Sequence, residues 1–270
     1  MGKVMAVLRS PQKKDRPEEK LWGKPVQTSL RGIANRAVKF PEHIFRNLSG
    51  LLTEEYLYDC FFQLRKDAAT GVDNLTYEDY KADLKANIAD LWGRVRRGSY
   101  KAKFVRRKNI PKGNGKTRPL GIPAIEDKLL QLAVKKIIEA IYEQDFLPCS
   151  FGYRPGIGPK DAVKAISGNI YSGRTNYVVE ADIRGFFDNI DHEWMIKMLK
   201  ERIDDRPFLG LIQKWLKAGI LEEDGKVIHP VTGTPQGGII SPVLANIYLG
   251  SSGNLMGNAI NSQIQLTAIE

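Results

Sequence analysis

Cysteine is scarce in this sequence. Cys60 and Cys149 are the only two in 270 residues, and they are far apart. With only His43, His192 and His229 beside them, no zinc-ligand spacing can be written. A disulfide scaffold and a zinc module are therefore excluded. No run of about 18 apolar residues occurs, so no membrane-spanning helix is expected. The start, Met1 to Arg9, has too short an apolar run for a secretory signal. These absences lead us to expect a protein of the cytosol or an organelle matrix, with no membrane partner. Two further absences are local. From Arg94 to Arg118 there is no acidic residue, and after Leu249 there is no aspartate.

What is present is ordinary in bulk and uneven in detail. Apolar residues make up 42% and charged residues 27%, the composition of a folded globular chain. The length suits one large or two small domains. Lys plus Arg is 41 and Asp plus Glu is 31, so the net charge is +10. A polyanion, nucleic acid first, is the expected partner. The acid-free stretch Arg94–Arg118 carries eleven basic residues, enough to account for the whole excess. From Ser251 onward the only charge is Glu270, where about five would be ordinary. That tail reads as a composition break that does not pack as a domain.

Periodicity and punctuation predict a mixture of helices and strands without a regular alternation, hence an α+β fold. Helices are expected over 30–48 (interrupted at Pro41), 53–66 with Thr53 as N-cap, and 76–97 with a Thr76/Asp79 capping box. Phe104–Ile110 and Thr117–Ile122 read as strands around Gly113-Asn114-Gly115, a hairpin. Helices follow over 125–146 and 160–171, then a strand over 176–183. Asp191 caps a helix with Met195, Met198, Leu199 and Ile203 on one face. A helix over 207–216, a short strand over 226–231 and a helix over 239–249 complete the reading.

Three segments could carry chemistry. In the strand ending Glu180-Ala181-Asp182-Ile183, Glu180 and Asp182 share the face opposite an apolar one. Asp182 lies near the end of a strand otherwise fit for burial, so it needs a partner or a cation; the plainer reading is a turn cap. In Gly233-Thr234-Pro235-Gln236-Gly237-Gly238, glycines permit close approach of a ligand or backbone, with the Gln236 amide beside them. The plainer reading is a stiff loop before a helix. The third is the basic hairpin, Arg106-Arg107-Lys108 through Lys112, Lys116 and Arg118. Its Gly115-Lys116-Thr117 is not a phosphate loop, because Ile110 stands where a glycine is required and Arg118-Pro119 is extended. The hairpin is expected to bring Lys112 near Arg118, and an anion between them would relieve their repulsion. A solvated, lysine-rich edge is the competing reading.

Taken in order, several blocks resemble the reverse transcriptase domain of group II intron-encoded proteins. They are Ala69-Thr70-Gly71-Val72-Asp73, Ile110-Pro111-Lys112 through Pro123, and Ser150-Phe151-Gly152-Tyr153-Arg154-Pro155. Asp182-Ile183 with Phe186-Phe187-Asp188, and Thr234 to Gly238 with Ser241-Pro242 through Asn246, complete the set. The resemblance implies a right-hand polymerase: an extension over 1–29, fingers over 30–172 with the basic hairpin at 104–123, a partial palm over 173–249, and no thumb. It implies that Asp182 binds both catalytic Mg2+ ions, with the backbone carbonyl of Ile183 as a further ligand. Lys112 and Arg118 would hold the triphosphate, Phe187 would pack under the sugar, and Gln236 would lie along the nucleotide and template. Arg106, Arg107, Lys108, Lys116, Gly237 and Gly238 would meet the nucleic acid. The implied partners are an RNA template or intron RNA, a DNA primer and dNTPs, with intron splicing as a companion role.

One departure stands out. The family's Tyr-X-Asp-Asp turn, which supplies the remaining metal-binding carboxylates, does not follow Leu249; the tail 250–270 departs from the pattern. The two-metal site is thus incomplete, and the chain reads as a truncated enzyme, inactive by itself. Two other readings compete: a non-catalytic RNA-binding derivative, and a viral RNA-dependent RNA polymerase fragment. Phe187 argues against the last, since a bulky residue there favours deoxynucleotides.

Overall fold

The computed structural model describes residues 27–112, 115–173, 178–250 and 264–269. Most of the expected extension, the hairpin tip at 113–114, the first residues of the expected third strand and residues 251–263 of the tail lie outside the described residues.

From residue 27 up to the basic hairpin the regular elements are helices. Helix α1 (Gln27–Lys39) stops just before Pro41, a residue that cannot continue a helix, and the helix expected to run on to 48 does not resume: the chain turns at 41–42 and Phe45 forms a β-bridge with Ile203 instead. Helix α2 (Glu54–Phe61) starts at Thr53, whose side chain accepts the Tyr56 N–H. It is shorter than expected, because turns at 62–64 close it beyond Phe61. Thr76 and Asp79 form the expected reciprocal capping box. The single helix expected beyond it is two, α3 (Tyr77–Ala82) and α4 (Leu84–Arg96). Asp83 leaves helical geometry at φ −118°, ψ 39°, and the Asn87 side chain donates to the Tyr80 carbonyl at 2.9 Å. The buried stripe Tyr77, Tyr80, Leu84, Ile88, Leu91 runs through the break at unbroken helical spacing. Periodicity alone therefore cannot see it.

Strands β1 (Val105–Lys112) and β2 (Lys116–Ile122) form the expected antiparallel hairpin. Helix α5 (Ile125–Tyr142) follows and is the core of the molecule. Leu129, Leu130, Ala133, Val134, Ile137, Ile138 and Ile141 are fully buried on it. Each large aliphatic side chain so buried contributes about 1.5–3 kcal/mol. Helix α6 (Pro159–Tyr171) leads to β3 (Val178–Ile183), and a 3-10 turn at Phe186–Asn189 follows. Helix α7 (His192–Lys200) is capped by Asp191, which accepts from the Trp194 N–H, and it buries Met195, Met198 and Leu199. Helix α8 (Arg206–Leu216), strands β4 (Ile220–Leu221) and β5 (Val227–Ile228), and helix α9 (Ser241–Gly250) come next. Strand β6 (Ile264–Ile269) lies within the expected charge-poor tail.

The fold is α+β, as expected. One sheet has the order β2-β1-β4-β5, with β1 and β4 parallel. The other pairs β3 with β6, antiparallel. Part of the tail is thus a strand beside the one that bears Asp182. No helix among the described residues is long and apolar enough to cross a membrane.

Candidate nucleic-acid and nucleotide site

The hairpin register decides which cations face each other. Lys112 stands opposite Lys116, and Arg118 stands opposite Ile110. The expected Lys112–Arg118 pair is therefore two register positions out of alignment rather than directly opposite.

Much of the basic run is not free. Its own segment has no acid, but acids arrive from other elements. Arg94 pairs with Asp90 at 2.8 Å and also with Glu126. Lys103 pairs with Asp73 at 3.0 Å, and Arg107 with Glu222 at 3.2 Å. Arg106 donates to the Thr70 hydroxyl at 3.3 Å. Lys108 is exposed. Arg118 is also exposed, and its Nε donates to Gln236 Oε1 at 3.0 Å. An amide partner is neutral and does not offset the guanidinium charge, and no acid pairs with it among the described residues. The positive surface is consequently narrower than the sequence suggests.

The Arg118–Gln236 bond joins two of the expected site residues across 118 positions of sequence. It is backed by a main-chain bond, Gly121 N–H to the Gln236 carbonyl, at 2.6 Å. The loop 233–240 thus lies on β2. Its glycines have a structural account. A Cβ on Gly237, at φ +112°, would sit 2.6 Å from the Gly121 carbonyl oxygen. One on Gly238 would sit 2.7 Å from the Ser241 hydroxyl. The close approach inferred from the sequence is made by the protein's own chain.

Three anchors hold the rest of this loop. The Thr234 N–H donates to the Phe187 carbonyl at 2.8 Å. His192 Nε2 lies 2.6 Å from the Gly233 carbonyl; a carbonyl can only accept, so Nε2 carries the proton. Gln131 on α5 accepts the Ile239 N–H at 3.0 Å. His192 and Gln131 were not foreseen. Gln131 had a signal, a lone amide on the apolar face of α5; His192 had none beyond its place after a cap. Phe187 packs against the core and meets Phe186 edge-on, ring centres 5.4 Å apart. Arg118, Gln236 and Phe187 are thereby joined in one scaffold.

Asp182 departs from expectation. It is exposed rather than buried, because β3 pairs only with β6 among the described residues and its polar face is open. Gln265 is its register partner, and Thr267 stands opposite Glu180. The described residues contain no group of three or more His, Cys, Asp or Glu that could hold a metal ion. Asp182, Glu180 two residues before it on the same face and the Ile183 carbonyl do not fit a pair of divalent ions, each of which takes about six oxygen ligands.

The sequence profile of the family described as reverse transcriptase (RNA-dependent DNA polymerase) matches residues 110–267. The chain belongs to the reverse transcriptase family. The matched span starts in the basic hairpin, takes in Asp182, Phe187 and Gln236, and runs through most of β6. The homologues of this reverse transcriptase chain include group II intron-encoded proteins. It is 38% identical over 231 residues to the group II intron-encoded protein LtrA of Lactococcus lactis subsp. cremoris, covering 84% of this chain and 38% of LtrA. It is 36% identical over 182 residues to protein YkfC of Escherichia coli (strain K12), covering 66% of this chain and 48% of YkfC. The chain thus spans less than half the length of either. Among solved structures, a partial Cas6-RT-Cas1–Cas2 complex matches with a TM-score of 0.48 and 27% identity, over 74% of this chain and 33% of the matched one.

Proposed function

We propose that this chain forms the template- and nucleotide-holding part of an RNA-directed DNA polymerase of the group II intron type. The observation that carries this reading is the Arg118–Gln236 bond, which seats the fingers hairpin on the loop tied to Phe187. In this reading Lys112 and Arg118 meet the triphosphate, and Phe187 crowds the sugar against a 2′-hydroxyl. Gln236 lies along the nucleotide and template. Lys108, Lys116, Arg106 and Arg107 line the path of the RNA. Its partners are a template or intron RNA, a DNA primer and dNTPs, with assistance to intron splicing as a companion role.

The 270-residue chain alone binds RNA and does not extend a primer. Asp182 is exposed beside a strand without an acid, and no further aspartate follows Leu249. Magnesium ions would find no more than Asp182 and Glu180 as side-chain ligands on this strand face, so we route no step of catalysis through them. This favours, for the isolated chain, the behaviour of an RNA-binding protein.

A salt titration of RNA binding tests the proposal. The wild-type affinity is expected to fall steeply as salt rises, because phosphate contacts release counterions. Lys108→Ala and Arg118→Ala should each weaken binding across sequences and lower the salt slope by about 1. Arg107→Ala should change the slope less, since Glu222 already engages that charge. Binding without salt dependence, or unmoved by both Lys108→Ala and Arg118→Ala, would overturn it.

A further inference from the structure

Tyr153 is held in an unusual way. Its φ is +56°, a left-handed conformation that costs a non-glycine residue about 1 kcal/mol. Its side chain nevertheless gains no burial in return, for the residue is 61% exposed. The chain on either side is fixed firmly. Arg154, with its side chain only 9% exposed, donates to the Leu147 and Ser150 carbonyls at 3.1 and 2.9 Å and to Glu143 at 3.1 Å. Its guanidinium also lies over the Phe146 ring, 5.4 Å from the centroid. On the other side, Asn246 of α9 donates to the Gly152 carbonyl at 2.8 Å. The loop is thus clamped at both flanks, and the ring between the clamps faces solvent.

The place of the clamp is informative. Asn246 lies five residues into α9 from Ser241, about 7–8 Å along its axis at 1.5 Å per residue. Ser241 donates its hydroxyl proton to the Pro235 carbonyl and accepts from the Thr234 hydroxyl, so α9 carries both the Gln236 loop and the Tyr153 loop. The same loop then enters α6, where Lys160 and Lys164 are exposed. Asp161, the acid between them, is turned back to accept the Gly158 N–H. An exposed aromatic ring on a fixed backbone, in a loop that leads into a helix with exposed lysines, offers the recognition chemistry of single-stranded nucleic acid: a base stacks on the ring while cations follow the backbone.

We infer that Tyr153 is a stacking platform for an unpaired base of the nucleic acid, reached along α9 from the Gln236 loop. This rests on the nucleic-acid reading above and adds a contact to it. The conformation supplies an unusually clean test. Glycine suits φ +56° better than tyrosine does, so Tyr153→Gly removes the ring while relieving the backbone. Its thermal midpoint is expected to equal or exceed that of wild type. Its affinity for a single-stranded RNA at fixed salt is expected to fall by roughly 5- to 100-fold, the range for loss of one stacked base. Tyr153→Phe and Tyr153→Trp should stay within about threefold of wild type, because any aromatic face can stack. A 2-aminopurine placed in the RNA should change fluorescence on binding wild type and the Phe variant, and lose that change with the Gly variant.

Wild-type affinity in Tyr153→Gly would overturn the inference, and so would equal losses in the Gly and Phe variants. A weakened Gly variant that also melts earlier would overturn it too, by showing a structural role. If wild type itself fails to bind RNA, the broader reading has failed. If wild type binds and Tyr153→Gly binds equally, the stacking contact alone has failed.

Discussion

Gly237→Ala is expected to lose about 2–4 kcal/mol of stability and to release the Gln236 loop from the hairpin. Two independent faults add at this residue. Its φ of +112° lies where a Cβ is strained, and that Cβ would meet the Gly121 carbonyl oxygen at 2.6 Å and the Leu120 side chain at 2.8 Å. The carbonyl cannot yield cheaply. Gly121 is already held from the other side, where its own Cβ would strike Val105 at 2.7 Å and Pro235 at 2.9 Å. Its N–H is bound to Gln236 as well. The chain can relieve the clash only by lifting the loop off β2, which breaks that bond and the Arg118–Gln236 contact together. Denaturant unfolding would measure the loss, and hydrogen exchange at the Gly121 amide would report the release. Wild-type stability with a protected Gly121 amide would contradict this account of the clamp.

Tyr100→Phe is expected to cost about 2–4 kcal/mol at neutral pH and clearly less near pH 5. Asp127 sits in the first turn of α5, only 2% exposed. Its carboxylate accepts from the Tyr100 hydroxyl at 2.5 Å and from the Lys103 N–H at 3.0 Å, and Trp215 donates to that same hydroxyl at 2.8 Å. One oxygen atom therefore joins α5, α8 and the segment before β1. Burial pushes the Asp127 carboxyl up to about 6, although both donors pull it down. The folded state thus holds this proton more tightly than the unfolded chain. The stability it contributes is complete below about pH 4 and is lost as pH rises through about 6. Removing the Tyr100 hydroxyl takes away a donor to the charged form and raises the carboxyl further. The ionised Asp127 is then stranded at neutral pH, while the protonated form at pH 5 loses only an ordinary bond. The Trp215 N–H loses its partner at both. Urea unfolding of both proteins at pH 5 and pH 7.5 checks this. A loss equal at the two pH values, or none, would contradict it.

Local chemistry was legible and long-range compensation was not. Thr53, Thr76 with Asp79, and Asp191 cap helices as their types and spacing require, because a cap is decided within four residues. The Met195, Met198, Leu199 stripe is buried as periodicity demands. The hairpin around 113–115 was also plain, but its register was not, and register made Lys116 rather than Arg118 the partner of Lys112. The basic run shows the larger limit. Glu222 and Asp73 neutralise Arg107 and Lys103 from 115 and 30 positions away, and nothing local announces them. Asp182 shows another. A strand of apolar character suggested burial, yet exposure depends on which strands lie beside it. Within the candidate site, Gln236 and Arg118 were each singled out from the sequence, but their bond to one another could be seen only in the fold.

Primer extension tests the central claim most directly. The purified 270-residue chain would be given an annealed primer on an RNA template, dNTPs and Mg2+, at protein concentrations that saturate RNA binding. The expected result is retained template binding with no extension above the protein-free control, unchanged by Asp182→Asn. Robust extension that Asp182→Asn abolishes would contradict it, and would mean that one exposed aspartate is completed by ligands this account does not contain.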